Sequence, residues 1–320
     1  MTTTPATRVR TGVMLPRDLP LADVLPFARR ADELGFDELW VVEDLGFRGG
    51  VAQAATVLAG TSRIAVGIGI MPAAARHPAF AAMEIATLGQ LFPGRVIAGI
   101  GHGQASWMRT LGVWPSSPLT LLEETTTAVR SVLRGRPVAP GRYVTLEHTE
   151  FTELPETIPP VLLGVRGPRS LALSGRVADG TLLAEPSPPS YVRAAARHIA
   201  ATGPHELITY DVAAVDDDAE RALEAVRPGL MWIGEPDWAP HLVGLPFADE
   251  LVALRAASAG PEEFAAALPL EWIDELSLAG TPAQVRSKMA ARHEAGATCV
   301  VLTPVGEGRL EQLESLARVV

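Results

Sequence analysis

Arg63-Ile64-Ala65-Val66-Gly67-Ile68-Gly69-Ile70, followed after a helix-length interval by Arg95-Val96-Ile97-Ala98-Gly99-Ile100-Gly101, is the stretch on which the fold turns. Two short apolar runs with a crossover of this length between them read as parallel strands, since antiparallel neighbours need only a tight turn. The same alternation continues outward in both directions. Runs at about 8–15, 37–42, 63–70, 95–100, 160–165, 180–185, 207–215 and 298–303 make eight. Eight such runs with helical segments between them predict one (β/α)8 TIM barrel over residues 1–320, a chain length that barrels commonly reach as a single domain.

The crossovers carry legible helix signals. Leu21, Val24, Leu25, Ala28 and Ala31 fall on one stripe, and Gly35 supplies the residue that closes the helix. Thr281-Pro282 gives an N-cap and a first-turn proline, with Gly296 as the stop before the last strand. Two stretches interrupt the repeat: 101–159, with a helix at about 117–134, and 216–275, mostly helical and containing Trp232, Trp238 and Trp272. Insertions of this size after strands are expected to close over a site, with tryptophans serving as pocket lining or as core.

Composition removes several function classes. A net charge of −10 with no basic run disfavours nucleic acid as a partner. Lys288 is the only lysine, so an anionic ligand must be held by arginine or by backbone N–H groups. Cys299 stands alone in an apolar stretch, which rules out an intrachain disulfide and a cysteine zinc site and reads as a buried small hydrophobe. The polar Met1–Arg10 start and the lack of an apolar run near ~18 residues predict a cytoplasmic protein without membrane contact.

In barrels of this kind the site is built just past the C-terminal strand ends. There the second run ends in Glu43-Asp44, with Arg48 as a partner for either; the third carries Gly67 and Gly69 at period two; and Arg76-His77-Pro78 follows. Glycines on one strand face either let a flat group approach the main chain or make room for a packed neighbour. His77 is an acid/base candidate or a loop residue bonded to the backbone. Gly99-x-Gly101-x-Gly103 resembles a dinucleotide fingerprint only as a string, for its spacing and setting do not fit one; His102 and Gln104 are the nearest polar groups. Arg166-Gly167-Pro168-Arg169 before a helix start suits an anion, or is simply a tight turn with solvated arginines. No metal-ligand spacing, phosphate-binding loop or hydrolase nucleophile elbow occurs, which leaves cofactor-based redox chemistry.

Taken in order, Trp40-Val41-Val42-Glu43-Asp44-Leu45-Gly46, Arg76-His77-Pro78, Phe92-Pro93-Gly94-Arg95, Gly99-x-Gly101-x-Gly103-x3-Trp107, Gly167-Pro168-Arg169-Ser170, Ala178-Asp179-Gly180 and Gly280-Thr281-Pro282 resemble the luciferase-like monooxygenase superfamily. The similarity is greatest to its branch that uses the deazaflavin coenzyme F420, typified by methylenetetrahydromethanopterin reductases. The resemblance implies a homodimer, a non-prolyl cis peptide at about Gly69-Ile70, and a ring bordered by Gly101, His102, Gly103 and Gln104. It further places Val165, Arg166, Gly167 and Pro168 at the anionic end of the cofactor and Asp44 against the ring; beside these, Arg169 is assigned to the anion, and Glu43, His77 and His102 join Asp44 as the catalytic set. Some members carry a glutamate where this chain has Gln104, a side chain that cannot exchange a proton. The function implied is hydride transfer between F420 and a small organic substrate. An FMN-dependent monooxygenase fed by a separate flavin reductase, or a non-catalytic partner subunit, are the alternatives.

Overall fold

The computed structural model describes residues 9–147 and 150–320. Nine strands form: β1 Arg10–Met14, β2 Glu38–Val41, β3 Ala65–Pro72, β4 Val96–Gly101, β5 Val161–Gly164, β6 Gly180–Leu183, β7 Glu206–Val215, β8 Leu278–Gly280 and β9 Cys299–Pro304. All pairings are parallel; β1 to β7 run in sequence order and β9 joins β7 back to β1, which closes an eight-stranded barrel. The eight runs read from the sequence are these eight strands. β8 is extra, pairing only with the far end of β7 through Ala213–Val215.

Alternation along the strands sorts the side chains into two layers. Val66 and Ile68, Val96, Ala98 and Ile100, Leu39 and Val41 face outward and pack under the helices. Met14, Trp40, Leu162, Leu182, Ile208, Tyr210, Cys299 and Val301 fill the barrel interior. A barrel this narrow cannot seat Trp40 and Tyr210 with side chains on every strand, and the inward glycines supply the space. A Cβ at Gly67 would lie 2.3 Å from the Trp40 ring, and one at Gly69 would lie 2.0 Å from the Tyr210 hydroxyl.

Local signals set the crossovers as expected. The helix Val24–Leu34 ends on Gly35 at φ 96°. Thr281 caps Pro282–Glu294 with a complete capping box in which Gln284 takes part. The first insertion supplies helices Ala105–Thr110 and Pro118–Leu133. The second folds as helices Ala219–Val226, Ala248–Ala257, Pro261–Ala267 and Leu270–Leu276 with 3-10 turns between them. It owns a separate apolar core, with Val226, Leu230, Leu251, Phe264 and Ile273 among its members, that meets the barrel at Val212 and Ala279. No helix of the described residues is long and apolar enough to cross a membrane.

Candidate active site

The cis peptide between Gly69 and Ile70 sits where the resemblance places it, and the β3–β4 register shifts between Ile68 and Met71 around it. The bulge carries Ile70 over its neighbours: added Cβ atoms at Gly101 and Gly164 would meet the Ile70 side chain at 3.0 and 2.4 Å. Of the two uses the strand glycines could serve, room for a packed neighbour is the one seen here. Gly67 and Gly69 are filled from inside by Trp40 and Tyr210, Gly99 by the Ile68 carbonyl and Leu182, Gly101 by the Gly164 carbonyl and Ile70, and Gly164 by Ile70. What faces the mouth at β3 to β5 is an apolar ledge made by the partly exposed Ile70, with Gly69 and Gly164 also accessible beside it.

Around that ledge the strand ends bring several of the expected residues together. His102, just past β4, is partly exposed, and its Nε2 lies 3.1 Å from Ser170 Oγ in the first turn of the helix Pro168–Val177. Burial pushes its imidazole below the ordinary value, opposed in part by a hydrogen bond with the Pro118 backbone, so it is neutral at neutral pH. Gly103 is held at φ 72° beside Pro72, while Gln104 is exposed and serves as N-cap of the next helix.

The turn after β5 is more open. Gly167 has nothing within 4 Å of the position a Cβ would take, and it precedes a ten-residue helix whose N-terminus receives no side-chain cap. Free N–H groups at such a helix start attract anions. Val165 is buried beneath this turn, and Pro168 and Arg169 are exposed on it. Arg166 is held: its guanidinium lies 4.6 Å from the Trp238 ring centroid and donates 3.2 Å to the Asp237 carbonyl. The second insertion is thereby fastened to the mouth, as its length suggested. Trp272 instead stacks on Phe247 at 4.9 Å inside the insertion, and Trp232 is exposed.

The acids after β2 are both committed to arginines, though not to Arg48. Glu43 accepts from Arg76 at 2.7 Å and from the Gly50 N–H at 3.0 Å, where a helix begins, and Asp44 pairs with Arg17 at 2.5 Å. Arg48 turns away to the Leu19 carbonyl. His77 is exposed and caps Pro78–Leu91 by accepting from the Ala79 N–H. It thus serves as a helix cap in the loop after β3.

One group was passed over by the sequence reading. Glu185 follows β6 at the end of the run 180–185; it is partly accessible, and burial raises its proton affinity. The charges acting on it come from Arg166, Asp211 and Asp44. Below lies Tyr210, whose buried hydroxyl has no hydrogen-bond partner among the described residues.

With this geometry in place, comparison with known proteins gives concordant results. The family model described as Luciferase-like monooxygenase matches residues 2–299. A 5,10-methylenetetrahydromethanopterin reductase of Methanolobus tindarius is 27% identical over 316 residues, which cover 93% of this chain and 95% of that one. An F420-dependent glucose-6-phosphate dehydrogenase of Microbacterium testaceum is 33% identical over 171 residues, 49% of this chain and 51% of the other. The solved coenzyme F420 dependent tetrahydromethanopterin reductase of Methanopyrus kandleri superposes with a TM-score of 0.84 at 24% identity over 98% of each chain, which shows the same fold.

Proposed function

The chain belongs to the luciferase-like monooxygenase family, and on that premise we propose that it is an oxidoreductase moving a hydride between coenzyme F420 and a small organic substrate at the barrel mouth. The observation that carries this reading is the pairing of an apolar ledge at Ile70 with an unfilled, uncapped helix start at Gly167 flanked by Arg166 and Arg169. Those two features suit a flat ring and an anionic tail on one molecule. When bound, the deazaflavin supplies or accepts the hydride.

The residues then divide the work. Arg169 and the N–H groups after Gly167 would hold the anion, with Arg166 pre-set by Trp238. His102, neutral and tied to Ser170, orients a polar edge without adding charge. Ile70 would cover one face of the ring from water and leave the opposite face to the substrate. The names of the relatives, F420-dependent among them, support F420 over FMN.

Fluorescence titration of the purified protein with F420 and FMN separately tests this. Binding of F420 is expected; tight FMN binding without an F420 response overturns the cofactor choice. Oxygen consumption with reduced FMN would speak for the monooxygenase alternative and its reductase partner. The homodimer is proposed with it, supported by apolar Phe80, Met83 and Leu91 standing exposed along Pro78–Leu91, and light scattering checks it.

A further inference from the structure

We propose that His102, paired with Ser170, is the proton-accepting residue of this site: it takes the O–H proton of a small alcohol as the carbinol carbon gives a hydride to oxidised F420, and returns it in the reverse direction. This rests on the oxidoreductase reading above.

Three elements converge on the imidazole. His102 follows Gly101, the last residue of β4, and a Cβ at Gly101 would meet the Ile70 side chain at 3.0 Å, so the ring stands at the edge of the apolar ledge. β4 pairs with β5 through Gly101 and Gly164, which brings the helix after β5 alongside. From its first turn Ser170 presents Oγ at 3.1 Å from His102 Nε2. On its other side the ring hydrogen-bonds the backbone of Pro118, where the helix Pro118–Leu133 of the first insertion begins.

Those partners fix the tautomer. Proline has no N–H, so Pro118 can only accept, and the single proton of a neutral imidazole is spent on it. Nε2 then presents its lone pair, to which the Ser170 hydroxyl donates. Ser170 makes no other hydrogen bond among the described residues, and both residues are partly accessible. A hydroxyl tied to a neutral imidazole, which a carbonyl in turn orients, can take up a proton from an incoming O–H group and pass its own to the ring.

The other titratable groups past the strand ends are differently placed. Glu43 and Asp44 hold arginines, His77 spends Nδ1 on a helix cap, and the Glu185 carboxyl bonds only its own backbone N–H. The charges on the elements around His102 are also engaged: Arg109 lies over Trp114, Glu123 pairs with Arg176, Glu124 accepts from the 142–144 backbone and Arg166 is held by Trp238. Arg169 has no partner among the described residues, and its charge, like burial, favours the neutral ring.

The step balances in the oxidising direction. The carbinol C–H pair leaves as a hydride to the deazaflavin, which is reduced; the O–H pair becomes the π bond of the new carbonyl; and the proton reaches His102 Nε2 through Ser170, from which solvent removes it.

His102→Gln and Ser170→Ala test it. Nitrogen-15 spectra of the wild type without cofactor should show the His102 ring protonated at Nδ1 and bare at Nε2, with the Nε2 signal shifted in Ser170→Ala. A ring protonated at Nε2, or one unmoved by Ser170→Ala, overturns the pairing. With oxidised F420 and 2-propanol or ethanol as probes, His102→Gln should lose at least ~100-fold in kcat with F420 affinity retained. The acid limb of the wild type, lying below the ordinary histidine value of 6.5, should vanish in that variant. Ser170→Ala should lose about tenfold, the worth of one hydrogen bond, and Ser170→Thr, which keeps the hydroxyl, should restore most of it. Turnover of His102→Gln with the wild-type pH profile overturns the proposal, and a wild type that binds F420 but reduces it with neither alcohol overturns the substrate class. Absence of F420 binding in the wild type sinks the parent reading instead, and the nitrogen spectra still decide whether His102 offers a base to Ser170.

Discussion

His241 shows how much a single side chain can reveal about the site's surroundings. It is fully buried, donates through Nδ1 to the Pro186 carbonyl, packs 4.4 Å from the Tyr191 ring and leaves Nε2 without a partner among the described residues. Burial, helped by the nearby Arg166 charge, lowers its pKa from 6.5 to about 3. The linkage sign follows: below pH 6.5 the unfolded chain takes up a proton that the folded chain refuses, so stability is full above 6.5 and is lost as pH falls toward about 3. His241→Asn keeps a donor for Pro186 and removes the titration. Urea unfolding at pH 7 and pH 5 should show a smaller acid loss for Asn than for the parent, at a cost of ~1–3 kcal/mol at pH 7 from lost packing. Equal acid losses in the two proteins would mean that His241 protonates freely. A second residue-scale test concerns Arg292. Arg292→Leu strands Asp211 in the interior and should cost ~3–5 kcal/mol, read as a lowered denaturant midpoint with an unchanged slope.

At the scale of elements, glycines separate packing from binding. Gly175, in Pro168–Val177, faces the end of Pro189–Ile199 so closely that a Cβ would lie 1.8 Å from the Ile199 carbonyl oxygen. Backbone cannot rotate away, so Gly175→Ala should destabilise by at least ~1–3 kcal/mol. Gly167, on the same helix at φ −86° with open space before it, should accept alanine within ~0.5 kcal/mol. If the anion sits there, the added methyl weakens F420 roughly tenfold, about 1.4 kcal/mol; a dissociation constant unmoved by it would remove Gly167 from the cofactor set. The same contrast explains what the sequence disclosed. All eight barrel strands and the Gly35 and Thr281 caps were legible because periodicity and capping are local. β8, three residues long, has no period to read. The inward glycines announced themselves, but their occupants, Trp40 and Tyr210, come from other strands, and no local pattern names them. Glu185 was invisible for a related reason: burial and the charges of Asp211 and Asp44 raise its proton affinity against Arg166, and none of these residues is nearby in sequence.

Over the whole molecule, the second insertion behaves as a roof with its own core. Phe264, Leu251, Ile273 and their neighbours form a cluster distinct from the barrel's, joined to it through Val212, Ala279 and Val305, the Asp274–Lys288 ion pair at 2.8 Å, and the bonds that Trp238, His241 and Asp237 make with the mouth. A unit with a separate core can open without unfolding the rest. Phe264 is fully buried in it, and Phe264→Ala should cost ~3–5 kcal/mol, charged to the roof and not to the barrel. Hydrogen exchange would then quicken for amides of 219–276 while those of β1 to β4 keep their protection. Because Trp238 both stacks on Arg166 and bonds the Glu185 carbonyl, a loosened roof should also weaken F420 binding. Uniform loss of protection through the barrel would instead make the two cores one cooperative unit, and the insertion part of the scaffold.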